Sequence, residues 1–112
     1  MTAADITEKA IPVAACITKM LDISTGHIPK HTADALGEKD SKVKPPLWDS
    51  ISYVHYHEYG WIIHCTSTPE EDLKGEHQEL VNLIKIASAN GATHLKLDCD
   101  APVAEGLPVF NW

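Results

Sequence analysis

The chain predicts an α+β domain of the ferredoxin-like β-α-β-β-α-β kind, a four-stranded antiparallel sheet with two helices on one face. Three observations predict it. The hydrophobic patterns follow one another as strand, helix, hairpin, helix, strand. A length of 112 residues suits one domain spanning the whole chain. Apolar residues at 44% and charged residues at 22% allow a core that needs neither metal nor disulfides to hold it.

Residues 1–15 are weakly patterned and read as a short helix or a flexible arm. From Ile17 to Ser24, Ile17, Leu21 and Ile23 fall on one face, with Thr18, Asp22 and Ser24 on the other, which predicts a strand. Pro29 suits the first turn of a helix that ends at Leu36-Gly37. Residues 38–46 are charged, end in two prolines and read as a loop. Ile51–Glu58 and Trp61–Thr66 are rich in β-branched and aromatic residues and form a hairpin around Tyr59-Gly60. Thr68, Pro69 and Glu71 stand at the N-cap, N1 and N3 positions of a helix, completing a capping box. Leu73, Leu80, Ile84 and Ala87 cluster within about 60° of its arc, so one helix is predicted to continue to Asn90-Gly91. His94–Cys99 is a last strand, followed by an irregular apolar tail.

Charge narrows the function. The net charge is −7, and every cationic side chain is a lysine. Arginine supplies the planar fork that reads phosphates and guanine edges. Its absence from an acidic chain argues against direct binding to nucleic acid or anionic membrane. Three cysteines without a C-x-x-C pair, at Cys16, Cys65 and Cys99, argue against a disulfide framework or a zinc ribbon. Val13-Ala14-Ala15-Cys16 imitates a lipoprotein cleavage box, but Asp5 and Glu8 precede it and the apolar run is short. The chain reads as unprocessed and cytoplasmic, with no segment long enough to span a membrane.

Several constellations invite chemistry. His55, His57 and His64 lie in the hairpin, and histidines two apart on a strand share a face, a usable metal spacing. A two-residue Tyr59-Gly60 turn puts all three on one face; a three-residue Glu58-Tyr59-Gly60 turn moves His64 to the other. A half-exposed strand that happens to carry histidines is the preferred reading, and no metal or other cofactor is expected. Asp98 and Asp100 share a strand end, with Asp22 as a third carboxylate. An antiparallel pairing of first and last strands would separate Asp22 from the other two, leaving solvated turn carboxylates.

Asp22, Ser24 and His27 run from a strand end into a helix start, where backbone N–H groups favour anions and a Ser/His pair would suit nucleophilic catalysis. Neither a G-x-S-x-G elbow nor a phosphate-loop lysine accompanies them, so helix capping by Ser24 or Thr25 is preferred. His77, about 40° from the helix's apolar centre, reads as a histidine satisfied by a neighbour. Trp48, Trp61 and Trp112 offer interface anchors, which leaves a homodimer open.

Three stretches carry a resemblance. They are Leu21-Asp22-Ile23-Ser24-Thr25-Gly26-His27-Ile28, then Tyr59-Gly60-Trp61, then Leu97-Asp98-Cys99-Asp100-Ala101-Pro102-Val103 with Gly106-Leu107-Pro108-Val109-Phe110-Asn111-Trp112. Over roughly residues 20–112 the chain resembles a group of small bacterial proteins of unknown function, carried on plasmids, prophages and genomic islands. The closing Gly-Leu-Pro-x-aromatic-x-Trp is its most specific part. The resemblance implies a mobile-element setting, in which small acidic proteins often disarm host restriction or CRISPR nucleases, and it implies no activity. The expected function is therefore a non-catalytic interaction protein of anti-CRISPR or anti-restriction type. It would bind a protein partner such as a nuclease or defence complex through Glu70, Glu71, Asp72, Glu76 and Glu79. The alternative is a small enzyme or small-molecule-binding domain centred on Asp22, Ser24 and His27.

Overall fold

The computed structural model describes residues 12–37, 54–57, 59–73 and 75–112, with positions 54–57 described by their backbone. A 3-10 turn at Ala14–Cys16 leads into β1 (Lys19–Ser24), a second 3-10 turn at Thr25–His27 and helix α1 (Lys30–Leu36). Strands β2 (Val54–His57) and β3 (Gly60–His64) form the hairpin. Helices α2 (Pro69–Asp72) and α3 (Gln78–Ala89) precede β4 (Ala92–Asp98). The sheet order is β1-β4-β3-β2.

The α+β content stands, and the ferredoxin-like antiparallel sheet is corrected. β1 pairs with β4 in parallel, from Met20 beside His94 to Ser24 beside Asp98. The β2–β3 and β3–β4 pairs are antiparallel, so the sheet is mixed. The cause lies in the helix expected from Thr68 to Ala89, which is two pieces. Its first turn stops at Asp72, Gly75 takes φ 77°, and His77 is left-handed at φ 55°. The Cys65 amide bonds to the Thr93 carbonyl at the start of β4, whereas the His77 ring meets Thr32 of α1. Residues 65–77 therefore carry the chain back along the sheet before α3 begins. Helix α3 then retraces that length, the Asn90-Gly91 turn reverses it once more, and β4 emerges parallel to β1. A continuous helix would have delivered β4 antiparallel.

The hairpin register also differs from both turns that the sequence suggests. His57 pairs with Gly60, and Val54 with Ile63, leaving two residues between the strands. Alternation then sorts the sheet into two faces. Ile23, Leu97 and Trp61 form one row of the inner face, and Leu21, Leu95 and Ile63 the next. They pack against Ile28 and Leu36 from the first crossover and Leu80, Val81 and Ile84 from α3. Each fully buried Leu or Ile contributes about 1.5–3 kcal/mol by leaving water. The Trp61 indole Nε1–H also donates to the Gly37 carbonyl at 3.0 Å, tying the hairpin to the end of α1.

Gly60 is required where β3 meets β4, because a Cβ there would stand 1.8 Å from the Leu97 carbonyl oxygen. Gly60→Ala is expected to cost about 3 kcal/mol by forcing the β3–β4 ladder apart. A shift of the urea midpoint measures it, and a variant as stable as the parent would contradict the register.

Candidate functional site

The strand-to-helix junction after β1 is where the C-terminal tail returns. Ser24 Oγ accepts the Gly26 amide at 3.0 Å, so the hydroxyl caps the 3-10 turn. His27 is 2% exposed. Its Nε2 accepts the Ala104 amide proton at 2.8 Å, which leaves the other ring proton on Nδ1, and Nδ1 donates to the Pro108 carbonyl at 2.8 Å. Around this ring the tail adds further bonds. The Ser24 amide donates to Pro102, the Phe110 amide to Gly26, and the Trp112 indole to the Ile28 carbonyl. Trp112 thus packs back onto the junction while 53% of it stays exposed.

Asp22, Ser24 and His27 are close in sequence, but no hydrogen bond joins any two of them. Asp22 faces Lys96, whose Nζ lies 3.9 Å from Asp22 Oδ2 and 3.5 Å from Asp98 Oδ2. Both His27 nitrogens are committed to backbone groups, and the Ser24 hydroxyl already serves as a cap. The arrangement provides no free base beside a nucleophile. The parallel β1–β4 pairing also overturns the expected separation of the carboxylates, since Asp22 and Asp98 approach the same lysine. Asp98, Cys99 and Asp100 stand together at the end of β4, with donor atoms within 4.8 Å of one another. The Asp100 amide bonds to Asp98 Oδ1 at 2.8 Å, an ordinary Asx turn.

Of the hairpin histidines, His64 is half-buried and meets His94 edge-on, with ring centroids 5.4 Å apart. By register, positions 55 and 57 belong to the same side of the sheet as 62 and 64, and the side chains of His55 and His57 lie outside the described residues. Trp48 lies outside them as well. His77 caps α3 with its backbone, and its ring bonds Thr32 Oγ1 at 2.9 Å and stacks on His31 at 5.2 Å. Thr32 is fully buried, so this bond satisfies a core hydroxyl. Burial pushes the His77 imidazole below its ordinary value and neighbouring His31 adds to that, against the opposing pull of Glu76 and Glu79.

The acidic residues occupy the corner formed by α2, the following turn and the start of α3. Glu70 pairs with Lys85, and Asp72 accepts the Thr68 hydroxyl. Glu71 and Glu76 are exposed, and Glu76 approaches the His77 ring at 3.9 Å. Glu79 lines a groove of about 330 Å³ between α3 and the tail, floored by Leu83, Ile86, Leu107 and Pro108 and reaching His27. The groove depends on the folded tail, so sequence spacing alone could not reveal it.

The chain belongs to the DUF5983 family of unknown function: the model of that family's C-terminal domain matches residues 20–112. No curated protein and no solved structure matches the chain. Among the described residues, no helix is long and apolar enough to cross a membrane.

His27→Ala would remove the ring that pairs the Ala104 amide and the Pro108 carbonyl, two part-buried hydrogen bonds at about 0.5–1.5 kcal/mol each. The variant is expected to lose about 1–3 kcal/mol and to expose the tail to limited proteolysis; a tail as resistant as the parent's would contradict the clamp. For His77, the folded-state value lies below the unfolded one, so the unfolded chain binds more protons between them. The stability from neutral His77 is present above about pH 6.5 and is lost as pH falls toward the folded value. His77→Asn tolerates the left-handed backbone without titrating. Its Tm is expected to fall less than the parent's between about pH 7.5 and about pH 5.5, and equal falls would contradict the assignment.

Proposed function

We propose that this protein is a non-catalytic, cytoplasmic interaction domain that presents its acidic corner to a basic surface on a protein partner. The observation that carries the reading is the placement of Glu71 and Glu76 as exposed carboxylates on that corner, with Glu79 beside them in the groove wall. Among the described residues, the lysine on this corner, Lys85, is already matched by Glu70. A chain with net charge −7 and no arginine projects a negative field from such a corner. It attracts lysine- and arginine-lined channels of the kind that otherwise hold nucleic acid, and complementary charge speeds and orients the encounter. In its sharpest form the partner is a host restriction or CRISPR nuclease and the protein is a mobile-element inhibitor. Supporting that form are the acidic corner and the resemblance to plasmid, prophage and genomic-island proteins.

The second reading is a small-molecule-binding domain, favoured by the groove beside His27. Its volume of about 330 Å³ is at the small end for ligand pockets, which run from about 300 to 1,000 Å³. His27 would there serve as wall, with its ring nitrogens engaged by Ala104 and Pro108.

The test is a tagged pull-down from host lysate at low and moderate salt, run beside a Glu71→Lys/Asp72→Lys/Glu76→Lys variant. A stoichiometric nuclease or defence-complex subunit, weakened by salt and lost in the variant, is the expected result. A correctly folded variant that retains the partner would refute the acidic corner. A clean lane for the parent would shift the weight to the groove.

A further inference from the structure

The outer face of the sheet carries a row of three soft or borderline metal donors that come from three different strands. Met20 of β1 is the register partner of His94 on β4, and His94 is the partner of His64 on β3. Neighbours in a sheet are about 4.8 Å apart, so a thioether and two imidazoles stand in line across it. All three leave the core face, because an adjacent residue on each strand (Leu21 after Met20, Leu95 after His94, Ile63 before His64) belongs to the core row. Met20 is 44% exposed, and both histidines are half-buried.

The rings are prepared to ligate. Thr93 Oγ1 stands 2.8 Å from His94 Nδ1 and engages that nitrogen. With Nδ1 engaged, Nε2 is the nitrogen left to ligate, and a metal bound there would set the ring proton on Nδ1, donating to the Thr93 hydroxyl as outer hydrogen bonds do at metal-binding histidines. The His64 ring has no hydrogen-bond partner among the described residues, and it already lies edge-on to His94 with centroids 5.4 Å apart. The cation in the adjoining row, Lys96, is matched by Asp22 and Asp98. The unbranched methionine side chain adapts its reach with three rotatable bonds.

We infer that Met20, His94 and His64 form a copper site, with Cu(I) the preferred ion. A thioether with two imidazoles suits copper, whereas zinc sites draw on thiolate, imidazole and carboxylate and gain little from methionine. Binding is reversible coordination of Cu(I) supplied as such, with no change of oxidation state. The inference is independent of the acidic corner, since it uses a different face and different residues.

The test is anaerobic Cu(I) competition against bicinchoninate on the full chain carrying Cys16→Ser and Cys99→Ser, which removes the two exposed thiols. One equivalent of Cu(I) is expected. His64→Ala and His94→Ala should each weaken it by about 100-fold, and Met20→Leu by about tenfold, while Zn²⁺ affinity changes by less than about twofold in Met20→Leu. Circular dichroism checks each fold, and His64→Gln and His94→Gln replace any alanine variant that fails to fold. The site is refuted if the parent takes up no stoichiometric Cu(I), if folded His64 or His94 variants keep it, or if Met20→Leu weakens Zn²⁺ as much as Cu(I).

Discussion

The His27 imidazole accepts the Ala104 amide and donates to the Pro108 carbonyl from a position that is 2% exposed, and these two bonds fix where the C-terminal tail lies. Each bond spans about 80 residues of chain and is partly shielded from water, so the ring holds the tail where short-range contacts could not. Because the tail is held, Leu107 and Ala104 pack against the core, and Leu107 and Pro108 floor the groove beside α3. The same clamp brings the Trp112 indole to the Ile28 carbonyl. One histidine thereby links the end of β1 to the last stretch of a chain that has no regular secondary structure after Asp98.

Much of the fold was legible because its signals are local. The Pro29 entry and Gly37 exit of α1, the β-branched hairpin and the Asn90-Gly91 stop all fall where side-chain chemistry dictates them. The direction of β4 was illegible because it depends on one break. Leu73 and Leu80–Ala87 keep a helical apolar arc across the interruption, so the pattern reads as continuous. Gly75 was the available sign, since glycine weakens a helix and accepts positive φ. His77 gave no such sign: its left-handed backbone is stabilised from outside the helix, where its ring satisfies the buried Thr32 hydroxyl.

The sites follow the same division. Ser24 as a cap could be read from the sequence, since Gly26 follows it by two residues. The full role of His27 could not, because its partners are backbone atoms 77 and 81 residues away. Register decided the rest. Parallel pairing of β1 with β4 sets Asp22 near Asp98 around Lys96, and sets Met20 beside His94. His94 reads from the sequence only as the start of a strand. Its neighbours come from β1 and β3, and a spacing rule within one strand cannot see them. The acidic corner lies at the other extreme, a run of carboxylates plain in the sequence whose individual pairings needed the structure.

The central claim is that the junction resembling a reactive Ser/His site is a structural clamp, and it makes a definite statement about one proton. Long-range ¹H–¹⁵N spectra of the His27 imidazole at neutral pH, with amide exchange followed at Ala104, test it most directly. The account requires a neutral ring protonated at Nδ1, with an Ala104 amide protected to the level of the core strands. A ring protonated at Nε2, or an Ala104 amide that exchanges as freely as an exposed loop, would contradict it.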